Sequence, residues 1–154
     1  MRIAVVAVGK LKEPYFQAAA EEYLKRLRPY AEVRVVEVPD QDLARGEERA
    51  RRTEAEAVLR ALPEGAHVVA LDARGVQRSS EEFAERLSAL ALDGRSSIAF
   101  VVGGSAGLDP VVLERADETL SLGKMTLPHQ LARVVLLEQI YRAFRIARGE
   151  PYHR

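Results

Sequence analysis

Short apolar runs rich in β-branched residues recur along this chain, separated by stretches with helical spacing, and that alternation leaves few folds open. IAVVAVG at residues 3–9 has no polar alternation at all, the pattern of a parallel strand covered on both faces. VRVVEV at 33–38, HVVALD at 67–72 and SIAFVVGG at 97–104 are the next three strands, and TLSLG near residue 120 is a possible short fifth. From Glu13 to Leu27 the spacing is helical, with Tyr15, Ala19, Tyr23 and Leu27 on one stripe and Pro29 at its end. Residues 46–62 carry a weak apolar face of Ala50, Thr53, Ala57, Val58 and Ala61, which reads as a solvated surface helix before the Pro63-Glu64-Gly65 turn. Ser79 or Ser80 caps a helix running to about Leu92, closed by Asp93-Gly94, and the last helix begins at Pro128. Strand, helix, strand without a break calls for a layered α/β fold with a mainly parallel sheet, in a single domain spanning residues 1–154.

Composition narrows the chemistry. At 47% hydrophobic and 30% charged residues, 154 residues can bury a useful core without disulfides. The absence of cysteine removes thiolate nucleophiles, iron–sulfur clusters and cysteine-bound zinc together. No apolar run approaches the roughly 18 residues needed to cross a bilayer, and the first residues lack a long apolar leader, so cytoplasm is the expected location and no membrane partner is expected. The chain is neutral overall, but from Ser121 onward six basic residues face two acidic ones, giving +4 there and −4 before it. Two readings stand: the basic end docks a polyanion, or its arginines complement a helix dipole.

In a parallel sheet, ligands sit outside the carboxyl ends of the strands. Three strand ends carry small or glycine-rich turns: Leu71 to Gly75, Val102 to Gly107, and Leu120 to Lys124. Gly103, Gly104 and Gly107 make a GGxxG pattern, which matches neither a dinucleotide fingerprint nor a phosphate-binding loop, and GSAGL is not the elbow of a serine hydrolase. His67, His129 and His153 lack metal-ligand spacing, so no metal is expected. A structural role suits His67, while His129 could cap, pack or touch a ligand. The terminal Pro151-Tyr152-His153-Arg154 is either an inert tail or a set of side chains suited to stacking and phosphate pairing on RNA.

Four segments, AVGKLKEPYF, VVGGSAGL, LSLGKMTLPHQLARVVLLEQIYRAF and GEPYHR, together resemble the RlmH family of the SPOUT superfamily, in family order and over essentially the whole chain. That resemblance implies a C-terminal trefoil knot, S-adenosyl-L-methionine as methyl donor, a homodimer, and methylation at N3 of a pseudouridine in 23S rRNA on assembled ribosomes. By the same likeness, the donor would be contacted by Leu71, Gly103, Leu122, Gly123, Lys124, Met125, Thr126 and Leu127. An apolar slot with backbone polarity at its edge suits an adenine, and an apolar, glycine-bearing loop running into a helix supplies one. His153 and Arg154, with Tyr152 stacking, would receive the nucleoside, the tail of one subunit would complete the donor site of the other, and Arg142 would touch the rRNA. Methyl transfer from a sulfonium is a direct displacement, so the missing cysteine is no obstacle. The stripe of Leu137, Ile140, Tyr141 and Phe144 reads first as core and second as a dimer interface. A non-catalytic ribosome-binding protein of the same fold is the rival from another class, and a related enzyme acting on tRNA or another rRNA position is the second.

Overall fold

The structure, a computed structural model, describes residues 1–154 apart from the side chain of Arg45. Five parallel strands form one sheet: β1 (Arg2–Val8), β2 (Glu32–Val38), β3 (His67–Gln77), β4 (Ser97–Val102) and β5 (Glu118–Ser121), in the order β2-β1-β4-β3-β5. The helices are α1 (Pro14–Leu27), α2 (Glu47–Ala61), α3 (Ser80–Leu92), α4 (Pro110–Arg115) and α5 (His129–Ala147), with a single 3-10 turn at Leu43–Arg45.

Right-handed crossovers decide which helix covers which face. The chain steps one way along the sheet from β1 to β2 and from β3 to β4, and both connecting helices, α1 and α3, pack on one face. It steps the other way from β2 to β3 and from β4 to β5, and α2 and α4 pack on the opposite face. The central strands β1 and β4 are therefore buried on both sides, whereas the edge strand β2 fully buries only Val38. In β1, Ile3, Val5 and Ala7 join the core with α1, α3 and α5, while Ala4, Val6 and Val8 join the core with α2 and α4. This is why residues 3–8 show no polar alternation: both faces are dry.

The five sequence-based strands are all present, and Ser79 closes a reciprocal capping box with Glu82, its Oγ accepting from the Glu82 N–H at 3.1 Å and its own N–H donating to Glu82 at 2.8 Å. Four expectations change. Residues 47–61 form a surface helix whose inner face is buried more fully than expected: Ala50, Glu54, Ala55 and Val58 pack against the sheet, the small alanines allowing close approach, while Glu47, Glu48, Arg49, Arg52, Glu56 and Arg60 face solvent. Tyr15 leaves the α1 stripe and stands 67% exposed, because Ala20 and Leu27 supply the buried contacts. Pro128 caps α5 rather than opening it, with extended backbone at φ −56°, ψ 143°. The short α4, capped by Asp109, has too few residues to show a period and was not expected.

At the amino ends of β3 and β5 a charged cluster locks the sheet edge. Glu118 receives Nε2 of His67 at 2.6 Å and two donors of Arg86 at 2.8 and 3.0 Å, with Arg78 at 3.8 Å. Burial works to raise the Glu118 pKa, but the hydrogen bonds from Arg86 and His67 outweigh it and hold the carboxyl below the usual carboxylate range. A depressed carboxylate stabilises the fold above its unfolded pKa of about 4.3 and loses that contribution as pH falls through the folded value. Glu118→Gln should thus cost about 1 kcal/mol or more near neutrality. Thermal unfolding from pH 7 to pH 3 should show the gap to wild type narrowing below about pH 4; a gap constant with pH would contradict the assignment.

Candidate functional site

The carboxyl ends of β3, β4 and β5 open onto a cavity of about 280 Å³, just under the lower end of the usual ligand-pocket range of about 300 Å³. Each strand delivers one wall. β3 brings Leu71, Asp72 and Ala73, β4 brings Val102 and the Gly103–Leu108 turn, and β5 brings Leu120 and the loop from Leu122 to Leu127. The first turns of α5 close the pocket with His129 and Ala132.

Three local features shape these walls. Pairing of β3 with β5 shifts register between Leu71 and Val76, so residues 72–75 bulge out of the ladder and Asp72 and Ala73 turn to the cavity. Gly75 is obligatory there, since a Cβ would lie 2.8 Å from the Leu120 nitrogen and 2.9 Å from its carbonyl carbon. Past β5, Gly123 adopts φ +138°, a region that favours glycine, and the buried Ser121 hydroxyl bridges its backbone, accepting from its N–H at 3.2 Å and donating to its carbonyl at 3.1 Å.

The pocket is apolar with sparse charge. Asp72 is the one carboxylate in its wall, held near Arg74 at 3.5 Å. Burial, reinforced by the nearby Arg133 guanidinium, lowers the His129 pKa against the opposing pull of Asp40 and Glu13, so its ring is neutral at physiological pH. A neutral imidazole and one carboxylate suit a ligand carrying positive charge. Seven of the eight residues expected to contact a donor line this cavity: Leu71, Gly103, Leu122, Gly123, Met125, Thr126 and Leu127. Lys124 does not; its side chain is exposed and outside the wall. Met125 stands at the rim, 86% exposed.

The tail residues form a second, separate cluster. Tyr152 donates to Glu138 at 2.8 Å and meets the Tyr141 ring edge-on at 4.8 Å. Arg142 lies over the Tyr152 ring at 4.6 Å, pairs with Glu138 at 2.9 Å and donates to Nδ1 of His153 at 3.0 Å. For that bond Nδ1 must hold the lone pair, which places the ring proton on Nε2, facing Glu81. Burial first, then the bond to Glu138, pushes the Tyr152 pKa up to about 12, so the phenol keeps its proton. Arg154 is exposed. Arg142 and His129 are thirteen residues apart on α5, about 20 Å of helix at about 1.5 Å per residue. Within one chain the pocket and the tail do not meet.

A model of the family described as "Predicted SPOUT methyltransferase" matches residues 1–153. The chain belongs to that family. Over the full length of both chains it is 55% identical to ribosomal RNA large subunit methyltransferase H of Symbiobacterium thermophilum, and 52% identical to the proteins of that name from Bacillus cytotoxicus and Listeria welshimeri. Among solved structures, a probable methyltransferase from Bordetella pertussis superposes with a TM-score of 0.60 at 18% identity, covering 93% of this chain and 94% of that one. A probable methylase family protein from Haemophilus influenzae gives 0.56 at 16% identity, over 99% of this chain and 70% of that one. At these identities the structures support the fold alone.

The Leu71–Gly75 turn that holds Asp72 belongs to the expected ligand cradle, and the sequence leaves His129 open between capping, packing and a ligand contact; the cavity takes both into its wall. Sequence reasoning missed Ala132 as a wall and Glu138 and Glu81 as tail partners. Glu138 and Arg142 are four apart on α5, so that pair was readable. Glu81 is 72 residues from His153 and left no signal. Gly75→Ala should force β5 off β3, costing about 1–3 kcal/mol, or about 2–4 °C per kcal/mol at this chain length. Calorimetry would read the fall in midpoint, and an unchanged midpoint would mean the bulge relaxes freely.

Proposed function

We propose that this chain is an S-adenosyl-L-methionine-dependent methyltransferase that methylates N3 of a pseudouridine in 23S rRNA on assembled ribosomes, acting as a homodimer whose C-terminal part is knotted. The observation that carries the reading is the cavity at the carboxyl ends of β3, β4 and β5, walled by seven of the residues that the family likeness assigned to the donor. Its chemistry fits that donor. Leu71, Leu122 and Leu127 offer an apolar slot, the backbone of the glycine turns offers polar edges, and Asp72 offers the only negative charge beside a cationic sulfonium. Bound there, the donor would supply a methyl group on positively charged sulfur.

What the protein must add is alignment and an acceptor nitrogen with an available electron pair. Transfer would pass that methyl to N3 with the sulfur retaining the pair of electrons of its former bond, and would need the N3 proton to leave to a base or to water. Tyr152 keeps its proton and donates to Glu138, so it stacks and orients rather than accepting that proton. Arg142 and Arg154 are the cations that can hold a nucleoside phosphate or its anion, with His153 braced between Arg142 and Glu81. The separation of about 20 Å along α5 supports completion of each pocket by the partner's tail.

Titration calorimetry with S-adenosyl-L-methionine, paired with methyl transfer to ribosomes lacking the modification, tests the reading. Wild type should bind the donor in the micromolar range and methylate; His153→Ala should bind normally and lose about 100-fold or more in turnover, the range of a misplaced or missing acid–base partner. Normal turnover in His153→Ala would remove the tail from the mechanism. Ribosome binding without donor binding would instead favour the non-catalytic rival.

A further inference from the structure

The loop from β1 to α1 sits at the same end of the sheet as the pocket and is built more rigidly than a connector needs. The buried Arg133, one turn of α5 beyond the pocket-lining His129, donates to the Gly9 carbonyl at 2.8 Å and pairs with Glu37 at 2.6 Å. Glu37 also accepts the Leu11 N–H at 3.4 Å, and the Gln17 side-chain amide donates to the Leu11 carbonyl at 2.6 Å. Leu11 packs onto the core, which turns its two neighbours outward: Lys10 and Lys12 are both exposed. Pro14 then fixes the first turn of α1, and Tyr15 projects from it, 67% exposed.

These three side chains have no structural employment. Among the described residues, neither lysine forms an ion pair, although ten of the chain's arginines do. Of the carboxylates nearby, Glu37 holds Arg133, and among the described residues neither Glu13 nor Asp40 forms an ion pair with either lysine. Tyr15 meets only the edge of Phe16 at 4.7 Å among the ring contacts and leaves most of its face to solvent. Two exposed ammonium groups flanking a pinned backbone, with an exposed aromatic ring within one helical turn, are what backbone phosphates and an unstacked base recognise.

Resting on the methyltransferase reading above, we infer that Lys10, Lys12 and Tyr15 form an rRNA-docking platform beside the donor pocket, the lysines on phosphates and Tyr15 against a base. Arg133 ties this platform to the pocket, so an rRNA strand held here is held in fixed register with the donor. The platform contributes to docking and not to the displacement itself.

The test uses the intact enzyme, unmethylated ribosomes and a salt series from 50 to 200 mM. Lys10→Gln/Lys12→Gln should raise KM for ribosomes about tenfold, leave kcat at saturation and donor affinity unchanged, and lower the log–log salt slope by roughly one to two, as expected at about 0.7–0.9 per lost phosphate contact. Tyr15→Ala should raise KM about fivefold or more, with Tyr15→Phe close to wild type. Arg95→Gln, an exposed and unpaired arginine at the opposite end of the sheet, is the control for bulk charge. Unchanged KM and slope in the double variant, or an equal effect from Arg95→Gln, would overturn the platform. A wild type that methylates no rRNA would sink the parent reading and the platform with it, whereas an active wild type with an unaffected double variant would sink the platform alone.

Discussion

The buried guanidinium of Arg133 is the contact on which the arrangement of the site depends. After β5 the chain is at one edge of the sheet, and α5 must return across it to pack between α1 and α3. Leu136, Leu137 and Ile140 supply the burial for that return, but burial is non-directional and would tolerate a helix shifted along its axis. Arg133 is not tolerant. Its planar fork meets Glu37 at the end of β2 and the carbonyl of Gly9 just past β1, so the start of α5 has one place to be. Glu37 keeps part of its side chain in solvent, so the pair itself adds little net stability, but losing Glu37 would leave the buried Arg133 guanidinium without its carboxylate, which is costly. Its value here is register. Because His129 and Ala132 close the pocket, the position of α5 is also the position of the pocket's last wall.

The glycine turns do a complementary task from the other side. Gly75 lets β3 and β5 approach more closely than any side chain would permit, and Gly103 sits where a Cβ would meet Gly107 and Leu108 at 3.1 Å. Both glycines serve the chain's own packing. The turn beneath is supported by Val8, which a Cβ on Gly104 would meet at 3.0 Å, and by the buried Glu54, whose carboxyl accepts the Gln41 N–H at 2.9 Å. Burial pushes the Glu54 pKa up, so at this point α2 presents the turn with a carboxyl that resists ionisation. Packing and hydrogen bonds thus support the Gly103–Leu108 wall of the cavity from beneath.

Much of this was legible in the sequence, for reasons that differ from element to element. Strands β1 and β4 are buried on both faces, and an unbroken β-branched run has no other economical fate. Ser79 and Glu82 announce their capping box by spacing alone. The Leu122–Leu127 loop stood out because it is too apolar to be a connector. Residues 47–61 misled because alanine counts weakly in a hydrophobic pattern while packing closely in three dimensions, and Tyr15 misled because a helical stripe does not say which of its members the core has room for. Long-range polar pairs, His153 with Glu81 and Arg133 with Glu37, carry no local period, and only the fold brings them together. The strand order is likewise invisible to periodicity, and only the handedness of crossovers links it to which helix lands on which face.

The placement of the tail has a consequence for how a site of this kind can work. Tyr152, His153 and Arg142 brace one another through Glu138 and Glu81, and Tyr141 closes the stack from within the core. A tail that had to swing about 20 Å to its own pocket would break the bonds of Tyr152 to Glu138 and of His153 to Arg142 and Glu81 at each turnover, leaving only the Glu138–Arg142 pair within α5. A tail that stays docked keeps them and loses little side-chain freedom when a nucleoside arrives, which is the more favourable route to alignment. Under the methyltransferase reading, a docked tail and a distant pocket are compatible only if a second copy brings its own pocket to this tail. Dimerisation would then be part of the catalytic geometry rather than an accessory to stability, and dilution below the dimer's dissociation constant would extinguish turnover while leaving each fold intact.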